Sequence, residues 1–206
     1  MNSKRTLKII GGAVIALILG YSFMPAAWIS YEERITAHRE EVNDFMKNDQ
    51  DSPLSDSVKE DFQSLNFFTI NPDYKVKAAL EMLPDSPVLS MATSDGKTRK
   101  YTRFAYAHFE LNGQQNRLTL LKPLETNTGQ DLFLPFGDPT NGDESYGGGR
   151  YLDLESSGEK YITIDFNLAY NPYCVYSAEY SCPLPPAENQ LAVSVRAGEK
   201  NFMEIN

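Results

Sequence analysis

Two hydrophobic periodicities divide the chain. From Tyr31 to Lys47, Ile35, His38, Val42, Phe45 and Met46 recur at three- and four-residue steps among charged positions, which predicts an amphipathic helix. His38 falls on or beside that apolar stripe, where a partly buried or interfacial histidine is the plainer reading than a ligand. Asn48 to Pro53 is a polar break, and Ser57-x-x-Glu60 has capping-box spacing for a short helix through Ser64 whose buried side is Val58, Phe62 and Leu65. From Tyr74 onward the period drops to two. Strands are predicted over Tyr74–Leu83, Val88–Thr93, Lys97–Tyr106, Arg117–Lys122, Leu132–Phe136, Arg150–Leu154, Tyr161–Phe166 and Leu191–Arg196. Ser94-Asp95-Gly96 and Asn112-Gly113 mark tight turns between neighbouring strands. Phe104, Tyr106 and His108 share one face of their strand; Ala105, Ala107 and Phe109 share the other. Such short, evenly spaced strands predict a mainly β fold, an antiparallel sandwich or barrel with short helices at its N-terminal side.

Ahead of both patterns lies an uncharged run from Ile9 to Ile29, preceded by Lys4, Arg5 and Lys8 and followed by Glu32-Glu33. At about 1.5 Å per residue it spans roughly 30 Å, the thickness of a bilayer's hydrocarbon core. The basic leader predicts a cytoplasmic amino end and a single-pass anchor, with the remainder extracytoplasmic (periplasmic in a bacterial envelope). Tyr21 and Trp28 suit the interfacial belt. A cleaved signal peptide fits less well, because Met24 and Pro25 stand where Ala-x-Ala cleavage needs a small residue. The organisation read from the chain is therefore 1–30 tail and transmembrane anchor, 31–50 juxtamembrane helix, and 51–206 one β-rich domain.

A net charge of −9 with no basic stripe beyond the leader excludes nucleic acid as partner. Cys174 and Cys182 would both lie outside the membrane, where a disulfide closing a proline-rich loop is favoured. Two unpaired core thiols, or reactive or metal-bound ones, are the alternatives. No metal site or cofactor is indicated: the histidines, His38 and His108, are far from both cysteines.

The candidate chemistry lies between Phe136 and Lys200, where glycines, prolines and polar residues are dense. Asp138-Pro-Thr-Asn141-Gly-Asp143-Glu144 offers oxygens at a spacing unlike an EF-hand, and a turn is the plainer reading. Tyr146-Gly-Gly-Gly-Arg150 is either an anion cradle or a tight crossover before a strand; no Gly-Lys-Ser/Thr follows. A buried Arg150 would need a carboxylate, with Asp138, Asp153 or Asp165 available. Asp165, Asn167 and Asn171 suit turn capping, and with Asp138, Tyr146 and Arg150 they form the candidate ligand-binding set. Ser–His–acid catalysis is poorly supported, since His108 is the lone histidine of the β region and no Gly-x-Ser-x-Gly occurs.

These motifs carry a resemblance. Phe136-x-Asp138-x-Thr140, Glu144-x-Tyr146-Gly-Gly-Gly-Arg-Tyr-Leu-Asp153, Asp165-Phe-Asn167-x-Ala169-Tyr-Asn-Pro172, Cys174, Cys182-Pro-Leu-Pro-Pro186, Glu188-Asn189 and Ala197-Gly-Glu-Lys200, with Ser52-Pro-Leu54, Phe67-Phe68 and Asn71-Pro72 upstream, resemble the bacterial family of domain of unknown function 1684. The resemblance covers roughly 45–200. Ser145 stands where threonine is usual and Leu168 where arginine is common. It implies an exported or membrane-tethered single domain and assigns no activity.

The reading that follows is a membrane-anchored extracytoplasmic domain that binds a polar cell-envelope ligand. The alternatives are an envelope hydrolase using carboxylates with Arg150, and a structural or assembly protein with no ligand site.

Overall fold

The computed structural model describes residues 29–124, 131–155 and 160–202. The anchor expected over Ile9–Ile29 lies almost wholly outside them, and no described helix is long and apolar enough to cross a membrane. The chain divides at Ala37 into two units. The first supplies the opening of helix α1 (Tyr31–Asn48). There Ser30 and Glu33 cap each other: Glu33 N–H donates to Ser30 Oγ at 3.2 Å and Ser30 N–H to Glu33 Oε2 at 2.7 Å. The amphipathic pattern thus begins on a capping box that the periodicity alone did not single out.

In the second unit, from His38 onward, Val42, Phe45 and Met46 of α1 pack with Leu54, Phe62 and Leu65 as a small separate core. Helix α2 (Asp56–Asp61) is shorter than the expected 57–64. Its N-cap position is Ser55, without a side-chain cap bond, so the Ser57–Glu60 spacing does not act as a box. Phe62 and Leu65 are buried as expected, although they follow the helix.

Seven strands follow: β1 (Lys75–Met82), β2 (Val88–Ala92), β3 (Thr98–Leu111), β4 (Gln114–Pro123), β5 (Asp131–Phe136), β6 (Arg150–Glu155) and β7 (Tyr161–Asp165). All pair antiparallel in the order β6-β5-β4-β3-β1-β7, with β2 beside the first half of β3. The result is one sheet curled into a half-barrel, in place of a two-sheet sandwich or closed barrel. β3 is long enough to hold β2 and β1 end to end, and its register shifts between Arg103 and Ala105. That bulge lets one strand serve two flanking partners. Asn112 and Gly113 have φ of 52° and 73°, the mirror-image turn that matches strand twist.

Strand alternation sorts the side chains. Leu132, Leu134 and Phe136 of β5 and Leu152 and Leu154 of β6 join Ala107, Phe109, Leu118, Leu120, Ile164 and Phe166 in the main core. Phe133, Tyr151 and Asp153 point to the opposite face.

The expected strand Leu191–Arg196 is the main departure. Leu191, Val193, Val195 and Ala197 are buried in alternation, yet the segment joins no ladder. Its backbone is satisfied by side chains. Arg150 donates from Nη2 to Val195 O at 2.7 Å and from Nη1 to Ala197 O at 2.5 Å and Glu199 O at 3.2 Å. Asp138 Oδ1 accepts from Val195 N–H at 3.0 Å. A buried backbone polar group needs a partner, and here one ion pair takes the place of an eighth strand. Asn189 works similarly where β4 and β5 pair only at Leu121 and Phe133. Its side chain accepts from Thr119 N–H and donates to Thr119 O and Pro135 O.

Candidate functional site

The six residues singled out in the sequence do not converge. Asp138 and Arg150 meet, at 2.8 Å, but with both side chains wholly buried. Asp138 Oδ1 also accepts from Thr140 N–H, so its oxygens serve the fold and are not presented to a cation or ligand. The 138–144 segment is a turn: Asp138 N–H donates to Asn141 Oδ1 and Asn141 N–H to Asp138 O. Burial pulls the Arg150 guanidinium down from its usual value, while Asp138 opposes this. The ordinary value is high enough that the charge is retained. The three glycines lead into β6 as a close crossover. Gly149 has φ of 88°, and a Cβ there would lie 2.7 Å from Phe136 O.

Asp165 and Asn167 make a second, separate cluster. Asp165 Oδ1 accepts from Asn167 N–H and Nδ2 at 3.2 Å, and Asp165 lies 3.7 Å from Lys75. Asn167 exchanges hydrogen bonds with the backbone of Asn71, accepting at 3.0 Å and donating at 2.8 Å. These are the turn caps that the sequence suggests, stapling the entrance of β1 to the exit of β7. Tyr146 is half-buried, its hydroxyl raised above its usual pKa by burial and then by the neighbouring Cys174.

Cys174 and Cys182 are adjacent free thiols, with Cys174 N–H 3.2 Å from Cys182 Sγ. Burial first, then Cys174, pushes the Cys182 thiol up to about 11. A thiol so shifted is a poor nucleophile at neutral pH.

The remaining candidate, Asn171, leads to a real concavity. A cavity of about 830 Å³ opens between α1, the outer sheet face at Tyr101, Phe133 and Tyr151, and the 170–183 segment. Two backbone hydrogen bonds between Tyr151 and Tyr170, of 2.9 and 3.0 Å, tie that segment to the free edge of β6. Tyr170 Oη then donates to Asp153 Oδ2 at 2.6 Å. Tyr151 and Tyr170 meet edge to face at 5.8 Å, and Tyr173 and Tyr180 at 5.2 Å. Burial raises the hydroxyl pKa of Tyr151, Tyr170 and Tyr176, so all three stay neutral donors.

At the cavity's inner end sits Glu199, only 2% exposed. Its Oε2 accepts from Asn171 N–H at 2.9 Å and its Oε1 from the Tyr176 hydroxyl. Burial pushes its carboxyl up to about 7, against the lowering effect of those bonds and of Arg150. Gly198 aims it. With φ of 76° and 2.5 Å between a notional Cβ and Ala169 O, no other residue fits there without strain. Asn171 is 1% exposed; Nδ2 donates to Lys200 O at 2.8 Å, while Oδ1 has no partner. His38, expected partly buried, is exposed and lines the same cavity from α1.

Glu199, Tyr176 and the tyrosine walls were missed as site residues in the sequence. A signal was present. Four of the chain's 12 tyrosines fall between Tyr170 and Tyr180, more than a turn-forming role requires.

No curated protein matches this chain. Among solved structures, the solution NMR structure of an uncharacterised protein of Haloarcula marismortui is similar at 37% identity and a TM-score of 0.66. The similarity covers 82% of this chain and 94% of that one. Residues 60–200 match the family described as protein of unknown function (DUF1684), and the chain belongs to that family.

Proposed function

We propose that this chain is a membrane-anchored, extracytoplasmic domain that binds a small polar component of the cell envelope in the cavity beneath α1. The observation that carries the reading is the cavity itself. It is about 830 Å³, in the range of small-molecule sites, walled by aromatic rings, with the buried Glu199 and Asn171 among its lining residues. The anchor rests on the uncharged Ile9–Ile29 run behind a basic leader. Neither the Asp138–Arg150 pair nor the Asp165–Asn167 turn enters this reading.

Saturation-transfer NMR on the full chain in detergent, against envelope-type sugars and short peptides, tests it. Tyr173→Ala, at a half-exposed wall, is expected to weaken any hit at least tenfold without loss of fold. Hits indifferent to both Tyr173→Ala and Tyr180→Ala would put the ligand elsewhere. A phosphatase fused after Asn206 is expected to mature only outside the cytoplasm, and activity confined to the cytosol would remove the topology.

A further inference from the structure

Resting on that reading of the cavity, we infer that its ligand carries a protonated amino group, with Glu199 as the charge partner and tyrosine ring faces around it. Among the charged groups that line the cavity, carboxylates outnumber cations. Glu41 faces it from α1, Asp153 from β6, and Glu179 and Glu199 from the C-terminal segments. Against these four carboxylates stand Arg99 from β3 and the exposed His38. A ligand complementary to this set of charges is positive.

The walls agree. Tyr151 with Tyr170 and Tyr173 with Tyr180 stand nearly perpendicular, at 90° and 80°, so successive rings offer faces in different directions. Ring faces attract cations, and crossed rings are how ammonium groups are caged. Elsewhere the protein covers such faces itself. Lys77 sits 4.2 Å over Tyr161 and Arg117 4.5 Å over Tyr106. Among the described residues, no such cation covers Tyr170, Tyr173 or Tyr180.

Glu199 gives the site its proton coupling. Around its carboxyl are the Tyr176 hydroxyl and Asn171 N–H from the 170–183 segment. Arg150 reaches it from β6 but is engaged by Asp138. Glu41 and His38 of α1, Arg99 of β3, Asp153 of β6 and Glu179 of the 170–183 segment complete the charged groups lining the cavity. With its carboxyl near 7 when empty, Glu199 is partly protonated at neutral pH. An incoming ammonium ion pairs with the carboxylate, and the displaced proton leaves to solvent.

Glucosamine and N-acetylglucosamine differ in whether the same nitrogen is charged, and spermidine tests a free polyamine as the source in place of an amino sugar. Titration calorimetry on the full chain in detergent, at pH 6 in two buffers of unlike ionisation enthalpy, is the measurement. Glucosamine, spermidine or both are expected to bind at least tenfold tighter than N-acetylglucosamine, releasing up to one proton. The amine advantage is expected to shrink about tenfold per pH unit below 7. Glu199→Gln is expected to abolish that advantage, so that the charged and neutral sugars bind the variant equally. Wild-type protein suffices for the first two readouts if that variant fails to fold. Equal binding of charged and neutral sugars, or no proton release, overturns the amine inference while leaving the cavity a ligand site. No saturation by any of the three at millimolar concentration overturns both.

Discussion

Two polar clusters sit at opposite sides of one short segment, Val195 to Glu199, and they have been built for opposite purposes. On the core side, Arg150 and Asp138 grip the backbone of Val195, Ala197 and Glu199. Both side chains are fully buried, and four of the donor bonds run to main-chain or carboxylate oxygens at 3.2 Å or less. On the cavity side, Glu199 accepts from Asn171 N–H and the Tyr176 hydroxyl and, among the described residues, has no cation at ion-pair distance, while Asn171 Oδ1 has no partner there. The first cluster spends its charge on replacing a missing strand. The second holds a carboxyl in a low-dielectric site without an ion pair, which is a poor way to stabilise a fold and a good way to prepare a site. Arg150 Nε too lacks a partner among the described residues, so the lesson is that neither polar density nor full hydrogen-bond saturation separates the two; the presence or absence of a counter-charge in contact does.

The comparison breaks most easily at Arg150. Arg150→Met removes the donors of three buried carbonyls and strands a buried carboxylate. A loss of about 3–5 kcal/mol is expected, enough to abolish a cooperative urea transition in a domain of marginal stability. Adding Asp138→Asn removes the stranded charge, so the double variant should be less destabilised than the two single losses summed. If Arg150→Met instead unfolds with the wild-type midpoint, the ion pair is not what holds the terminal segment.

Glu199 should respond with the opposite sign. Its carboxyl is raised in the fold from 4.5 to about 7, so the native state binds the proton more tightly than the unfolded chain. Stability is then greatest at and below the unfolded value and falls as pH rises from about 4.5 to 7. The full span is on the order of 3 kcal/mol. Glu199→Gln keeps one acceptor oxygen for Asn171 N–H, sets its NH2 as a donor toward the Tyr176 hydroxyl, which can turn to accept, and carries no charge. It should therefore melt at a higher temperature than wild type at pH 8 and near the wild-type temperature at pH 5. Matching melting temperatures at pH 8 would show that Glu199 is already stabilised as a carboxylate, and the contrast between the clusters would disappear.

These two residues also mark where sequence reasoning stops. The strands of the sheet, the Asn112-Gly113 turn and the need of a buried Arg150 for a carboxylate among Asp138, Asp153 and Asp165 were legible, because period-two burial, left-handed turn geometry and the pairing of buried charges are local rules, but which of the three carboxylates serves was not. Leu191–Arg196 misled because alternation reports burial on one side and is silent about which groups complete the backbone. The curl of the sheet into a half-barrel depends on the Arg103–Ala105 bulge and on β3 serving two partners, neither of which leaves a mark in the pattern. Glu199 was invisible as a site residue since its position follows from Gly198 and from segments distant in sequence, at Asn66–Phe68 and Ala169–Asn171. Asn171 was found for its turn chemistry, and its unpaired oxygen is a property of the folded chain alone.

The finest test compares two arginine pairs of equal length. Arg103 Nε meets Glu188 Oε1 at 2.8 Å, and Nη2 meets Oε2 at 3.3 Å, the same fork geometry that makes such pairs strong in a dry site. Arg150 and Asp138 are also 2.8 Å apart. The difference is water: the Arg103 and Glu188 side chains are 22% and 31% exposed, those of Arg150 and Asp138 not at all. Solvent screens the first pair and leaves either member hydrated when the other is removed. A double-mutant cycle of Arg103→Ala and Glu188→Ala should therefore give a coupling below about 1 kcal/mol, most of it lost in 1 M salt, where the screening length is about 3 Å. A coupling of several kcal/mol that survives 1 M salt would mean that distance, not burial, sets the strength of these pairs, and the argument for Arg150 as a substitute strand would lose its physical basis.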